Sequence, residues 1–121
     1  MIQKIWYQTV KVFLKVSLHF YAQQIKIYGK ENIPKKGAVL FAINHPNALM
    51  DPLFVTSFNP RTNHFLVRAD VFKNPLIKKI LGSLNLMPIY RIRDGRNQLS
   101  NNEEIFNRCF KILAKEETLI I

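Results

Sequence analysis

A single cysteine, Cys109, stands in a chain of 121 residues, so an internal disulfide is excluded and a reducing compartment is compatible. Glycine is scarce, at four residues, and none of them builds a glycine-rich phosphate loop. No cysteine and histidine cluster has the spacing of a zinc site, so no metal or cofactor is expected. An uninterrupted apolar run of the ~18 to 20 residues that a spanning helix needs is missing. No small-residue cleavage site follows the N-terminal stretch, which argues against a signal peptide. Acidic residues are few, 8 against 18 lysines and arginines, which leaves a formal charge of +10. That excess favours anionic partners: nucleic acid, anionic lipid headgroups or phosphorylated small molecules. Nucleic acid is the weakest of the three. The aromatics sit in apolar runs and do not interleave with arginine on a stacking strand.

What is present is enough for one small α/β domain. Hydrophobic residues make up 48% of the chain and aromatics 12%, so a modest core is expected and disorder is not. Residues 1–24 have helical periodicity. At about 100° per residue, Lys4, Gln8, Lys11, Lys15 and His19 share one ridge, and apolar residues spread over the rest. A wide apolar face with lysines and aromatics is what an interfacial membrane helix requires. Trp6, Phe13 and Phe20, with Lys4, Lys11 and Lys15, are therefore the expected membrane-contacting residues. The competing reading is an ordinary packing helix whose lysine ridge faces water.

Residues 25–28 alternate enough for a short strand, and residues 38–43 read as a buried core strand closed by Asn44-His45-Pro46. Residues 53–58 suggest a helical turn, and residues 64–67 the next strand. Asn74-Pro75 reads as an N-cap and first helical position, with Gly82 as the stop. Residues 87–90 suggest a strand, and residues 91–97 a polar loop. Ser100 and Glu103 have capping-box spacing before a helix with Ile105, Phe106, Cys109, Phe110 and Leu113 on its apolar face. Thr118-Leu119-Ile120-Ile121 reads as a buried strand. The expected fold is α/β, with strands alternating with short helices in a mixed sheet, preceded by an amphipathic membrane-docking helix over 1–24. The α/β part spans 25–121.

The pair that carries chemistry is His45 with Asp51. His45 is expected at the carboxyl end of the core strand, where open α/β sheets place ligands. A carboxylate on one ring nitrogen fixes the tautomer and leaves the other nitrogen free to take a proton. No serine or cysteine nearby is placed as a nucleophile, so the pair suggests a base acting on a substrate hydroxyl. Asn44 and Asn47 organise the loop, and Asn47 is also a candidate donor to substrate. Arg91 follows a strand, and a guanidinium grips phosphate in a planar, bidentate way. His64 and Cys109 read as structural.

Asn44-His45 followed by Asp51-Pro52 resembles the first motif of the glycerolipid acyltransferase family, the glycerol-3-phosphate and lysophosphatidate acyltransferases. Five residues separate His45 from Asp51, Pro46 to Met50, against the family's usual four; some bacterial and fungal members resemble this longer form. Tyr28-Gly29-Lys30-Glu31-Asn32-Ile33-Pro34 resembles the lead-in to the family's first core strand, and Gly82 to Arg91 the approach to its second motif. The resemblance implies direct transfer of a fatty acyl group from acyl-CoA or acyl-ACP to a hydroxyl of glycerol-3-phosphate or lysophosphatidate. His45 would be the base and Asp51 its orienting partner, with no acyl-enzyme, and Arg91 would bind the acceptor phosphate. It also implies a peripheral position on the cytoplasmic face of a membrane. In the family, a strand like 118–121 runs into a Phe-Pro-Glu-Gly motif that is not found here. The expectation is an N-terminal fragment, weakly active or inactive alone. The alternative to an enzyme is a basic membrane-binding module, which would function without His45.

Overall fold

Thr118, Leu119 and Ile120 are all buried, and a strand apolar on both faces belongs in the middle of a sheet covered on both sides. They form β4 (Thr118–Ile120) in a computed structural model that describes residues 1–44, 47 and 50–121. By packing, the chain divides into two units, Met1–Lys35 with Ile43–Thr62, and Lys36–Ala42 with Asn63–Ile121.

The second unit holds the sheet. Its strands are β1 (Val39–Phe41), β2 (Asn63–Arg68), β3 (Leu86–Ile89) and β4, in the order β1-β4-β2-β3. Every pairing is parallel, which corrects the expected mixed sheet. Helical connections return the chain to the same end of the sheet before each strand, so all strands run one way. Pro88 pairs with Val67 on β3, an edge strand, where its missing N–H leaves no ladder partner unsatisfied. β1 is the other edge. It is shorter and less buried than the core strand expected over 38–43, and Leu40 is 54% exposed.

α3 (Pro75–Ser83) begins as expected, with the Asn74 side chain accepting from the N–H groups of Leu76 and Ile77 at 2.9 and 3.4 Å. α4 (Asn101–Ala114) buries Ile105 and Cys109 against Met87 and Leu119, with Leu66, Ile112 and Leu113 around them. Phe106 and Phe110, expected on that face, point outward at 48% and 67% exposure. The Ser100 and Glu103 capping box does not form. Ser100 is already in a helical conformation, and its hydroxyl donates to the Asn97 carbonyl while the Glu103 N–H uses the Ser100 carbonyl. The helix stops without glycine. Glu116 takes a left-handed φ of 59°, and the N–H groups of Glu116 and Glu117 return to Leu113 and Ile112, closing a Schellman turn into β4.

The Thr118 hydroxyl, wholly buried in β4, has no hydrogen-bond partner among the described residues. Thr118→Val keeps the shape and removes the unsatisfied group. Denaturant unfolding is expected to show a gain of about 1 kcal/mol.

The first unit pairs α1 (Ile2–Tyr21) with α2 (Met50–Phe58). Residues 25–28 form no strand, and no other strand lies among the described residues of this unit to pair with them. α1 packs through Tyr7, Lys11 and Leu18, while Ile2, Ile5, Val12, Phe13, Val16 and Phe20 lie on the opposite, exposed face. Lys11 was expected at a membrane and is instead buried. Its Nζ donates to the carbonyls of Asn59 and Arg61, at 2.5 and 2.9 Å, just past the end of α2. Those carbonyls lie where a helix has orphan acceptors and the negative end of its dipole. Burial, with help from Lys15 and Lys30, lowers the Lys11 pKa. Lys15 lies over the Phe58 ring and His19 packs against it, so three residues of the expected lysine ridge serve the end of α2. Lys11→Met leaves two carbonyls without their cation and is expected to cost about 1–3 kcal/mol in thermal or denaturant unfolding. Among the described residues, no helix is long and apolar enough to cross a membrane.

Candidate active site

Parallel strands aim their carboxyl ends at one edge of a sheet, and that edge is where α/β sheets hold ligands. In the second unit, Arg68 closes β2, and Tyr90 and Arg91 follow β3, so both arginines lie at that edge. A 3₁₀ turn over Ile92–Asp94 brings Asp94 back onto Arg91. Asp94 accepts from the Arg91 backbone N–H at 2.8 Å, from Nε at 3.0 Å and from Nη2 at 3.0 Å. Asp70, beyond β2, pairs with the Arg68 guanidinium and lies 3.8 Å from Arg91 Nη2.

These contacts hold the Arg91 plane from one side. A guanidinium has five N–H donors in a rigid fork, and Asp94 takes those on Nε and one on Nη2. Nη1 has no partner among the described residues, which leaves the outer edge of the fork able to meet an anion. The Arg91 side chain, hydrogen-bonded to Asp94, holds the Asp94 carboxyl down at about 2. A depressed carboxyl stabilises the fold above its ordinary range, and that contribution fades as pH falls through the folded value. A carbon-detected titration is therefore expected to show the Asp94 carboxyl still ionised at pH 3.

Asn102, early in α4, fixes the same corner from behind. Its Oδ1 accepts from the Tyr90 N–H at 2.9 Å and its Nδ2 donates to the Tyr90 carbonyl at 2.8 Å. One side chain thus replaces a neighbouring strand for the residue just before Arg91. Asn102, Asp94, Arg68 and Asp70 were not among the residues singled out from the sequence. Only the Arg91/Asp94 spacing of three gave a local signal.

Asp51 belongs to the first unit, and His45 lies outside the described residues. Asp51 and Asn47 form a reciprocal cap on α2. The Asn47 N–H donates to Asp51 Oδ2 at 3.0 Å, and the Asn47 Oδ1 accepts from the Met50 N–H at 3.1 Å. This cap carries the helix back to Met50, ahead of the start expected near Leu53, and Pro52 is tolerated in the first turn. Asn47 thus caps α2 with its side chain. Asp51 is half-buried at the N-terminal end of α2, where the helix dipole favours its charge.

At the amino edge of the sheet, His64 has a partner that the sequence reading did not supply. Its Nε2 lies 2.6 Å from Glu117 Oε2, just ahead of β4. It stands at the end of the sheet opposite the two arginines, consistent with a structural role. Of the residues expected at a membrane, Trp6, Phe13 and Phe20 are 46%, 69% and 88% exposed, and Lys4 and Lys15 are exposed.

The family described as Acyltransferase matches residues 24–121, a stretch that includes His45, Asp51 and Arg91. No curated protein and no solved structure matches the chain. With its family match over most of its length, the chain belongs to the glycerolipid acyltransferase family.

Proposed function

We propose that this acyltransferase moves a fatty acyl group from acyl-CoA or acyl-ACP to a hydroxyl of glycerol-3-phosphate or lysophosphatidate, in phospholipid synthesis. The observation that carries the reading is the family match, which takes in the histidine, the acid and the arginine in one stretch. His45 takes the proton of the acceptor hydroxyl as its oxygen attacks the thioester carbonyl. Asp51 orients the ring and stabilises its cationic form. The tetrahedral intermediate collapses, the carbon–sulfur bond breaks, and the leaving thiolate receives the proton from His45. No acyl-enzyme forms. Arg91 binds the acceptor phosphate through the outer edge of its guanidinium.

The reaction takes place at a membrane surface, with the protein peripheral on the cytoplasmic face. Support for this comes from the exposed apolar face of α1, with Trp6, Phe13 and Phe20 on it and Lys4 beside it. The test is thiol release from an acyl thioester by the intact gene product, with glycerol-3-phosphate or lysophosphatidate added. Release that depends on one acceptor supports the reading and identifies the acceptor. Release with neither acceptor from either carrier overturns it.

A further inference from the structure

α3 is a helix with no buried residue. Leu76, Ile77 and Ile80 are 65%, 42% and 45% exposed, and Val71, just ahead of the helix, is 43% exposed. At about 100° per residue, Leu76, Ile80, Ile77 and the half-buried Leu81 make one continuous arc, with Lys79 beyond the Leu76 end and Lys78 beyond the Leu81 end. Lys73, before the N-cap, is exposed too. Residues 71–93 contain no aspartate or glutamate, so nothing acidic in this segment offsets the lysines. A packing helix would turn Leu76 and Ile80 inward, and a solvated one would not carry them.

We propose that α3 is a second membrane-contact element, seated in the interface of an anionic bilayer. Leu76, Ile77 and Ile80 enter the acyl boundary, and Lys73, Lys78 and Lys79 meet headgroup phosphates. The arrangement of an apolar arc between lysines is the charge and polarity pattern of that surface. α3 has only nine residues, too few to form a stable helix alone. Here Asn74 and Pro75 set its first turn within the folded chain, so docking requires no helix nucleation. The inference deepens the membrane part of the reading above and assigns lipid contact to the unit that holds Arg91 as well as to the unit that holds α1.

Trp6 is the only tryptophan, so the native protein reports on α1, and a Trp6→Phe/Ile80→Trp variant reports on α3. Both are titrated with phosphatidylglycerol and phosphatidylcholine vesicles, with and without brominated acyl chains. We expect a blue shift and bromine quenching at position 80 with the anionic vesicles. Lys78→Gln and Lys79→Gln should each weaken partitioning by roughly fivefold without changing Tm. A Leu76→Trp variant in the same background guards against a local fault at position 80. Quenching of Trp6 with none at 76 or 80 overturns the inference and leaves the α1 reading standing. Quenching at 76 or 80 with none at Trp6 supports the inference and removes α1 from the membrane. No quenching at any position overturns both. A lipid-independent blue shift that grows with protein concentration overturns the inference in favour of a second copy on this face.

Discussion

Replacing His45 with alanine is expected to lower acceptor-dependent thiol release by about 10²–10⁴-fold, the usual contribution of a positioned general base. The acceptor KM should change little, because the imidazole acts on a proton in flight and not on the phosphate. Asp51→Asn separates the cap that Asp51 makes on α2 from the role in transfer proposed for it. An asparagine oxygen can still accept from the Asn47 N–H, as Asp51 Oδ2 does at 3.0 Å, so the cap on α2 survives. The negative charge does not survive, and an imidazolium loses its stabilising partner. Transfer should therefore fall steeply while Tm stays near that of the native protein. Asn47→Ala does the reverse. It removes the Oδ1 that caps Met50, at an expected cost of about 1 kcal/mol in stability, and leaves both members of the pair in place. A basic membrane module predicts something else: His45→Ala with vesicle binding and biological function intact. Measuring transfer and vesicle binding on the same three variants decides between the two readings.

How far the sequence could carry this depends on whether each feature is local. Asn74-Pro75 specifies a helix start by itself, and the helix begins there. The Leu119-Ile120-Ile121 run is apolar, and with Thr118 its first two residues form the interior strand β4. Residues whose roles depend on distant partners were not legible. Lys11 reads as one more lysine on a solvent or membrane ridge until α2 places two carbonyls over it. Phe106 and Phe110 read as core because they share the phase of Ile105 and Cys109, but the packed stripe of α4 turns toward Ile112 instead. Glu116 gives no stop signal, since a left-handed φ on a glutamate is a consequence of the turn into β4 and not a propensity. The parallel sense of the sheet is likewise set by pairing between segments far apart in the chain. The site divides the same way. The motif His45…Asp51 and the arginine after β3 can be read from spacing, whereas the side chains around the arginine come from the turn after β2, the 3₁₀ turn after β3 and α4.

Arg91→Ala is expected to raise the acceptor KM by roughly 10- to 100-fold, the loss of one charge-assisted, two-point contact to phosphate. The KM for the acyl thioester should stay within about twofold, since binding energy is lost only where the phosphate sits. Arg91→Lys should recover little of the loss. A lysine has one ammonium on a flexible stem and cannot hold Asp94 with Nε and Nη2 while offering a second edge to the acceptor. The supporting residues divide the effect further. Asp94→Asn keeps an acceptor for the Arg91 backbone but drops the ion pair, so the guanidinium loses its fixed plane and the acceptor KM rises by less than in Arg91→Ala. Asn102→Ala frees the Tyr90 backbone and should raise the same KM, whereas Asn102→Asp can accept from the Tyr90 N–H but cannot donate to its carbonyl. The expected order of acceptor KM is therefore native, Asn102→Asp, Asn102→Ala, Arg91→Ala. An Arg91→Ala enzyme with native acceptor KM would remove the arginine from the phosphate site, and its ion pair with Asp94 would then be a structural device that ends β3.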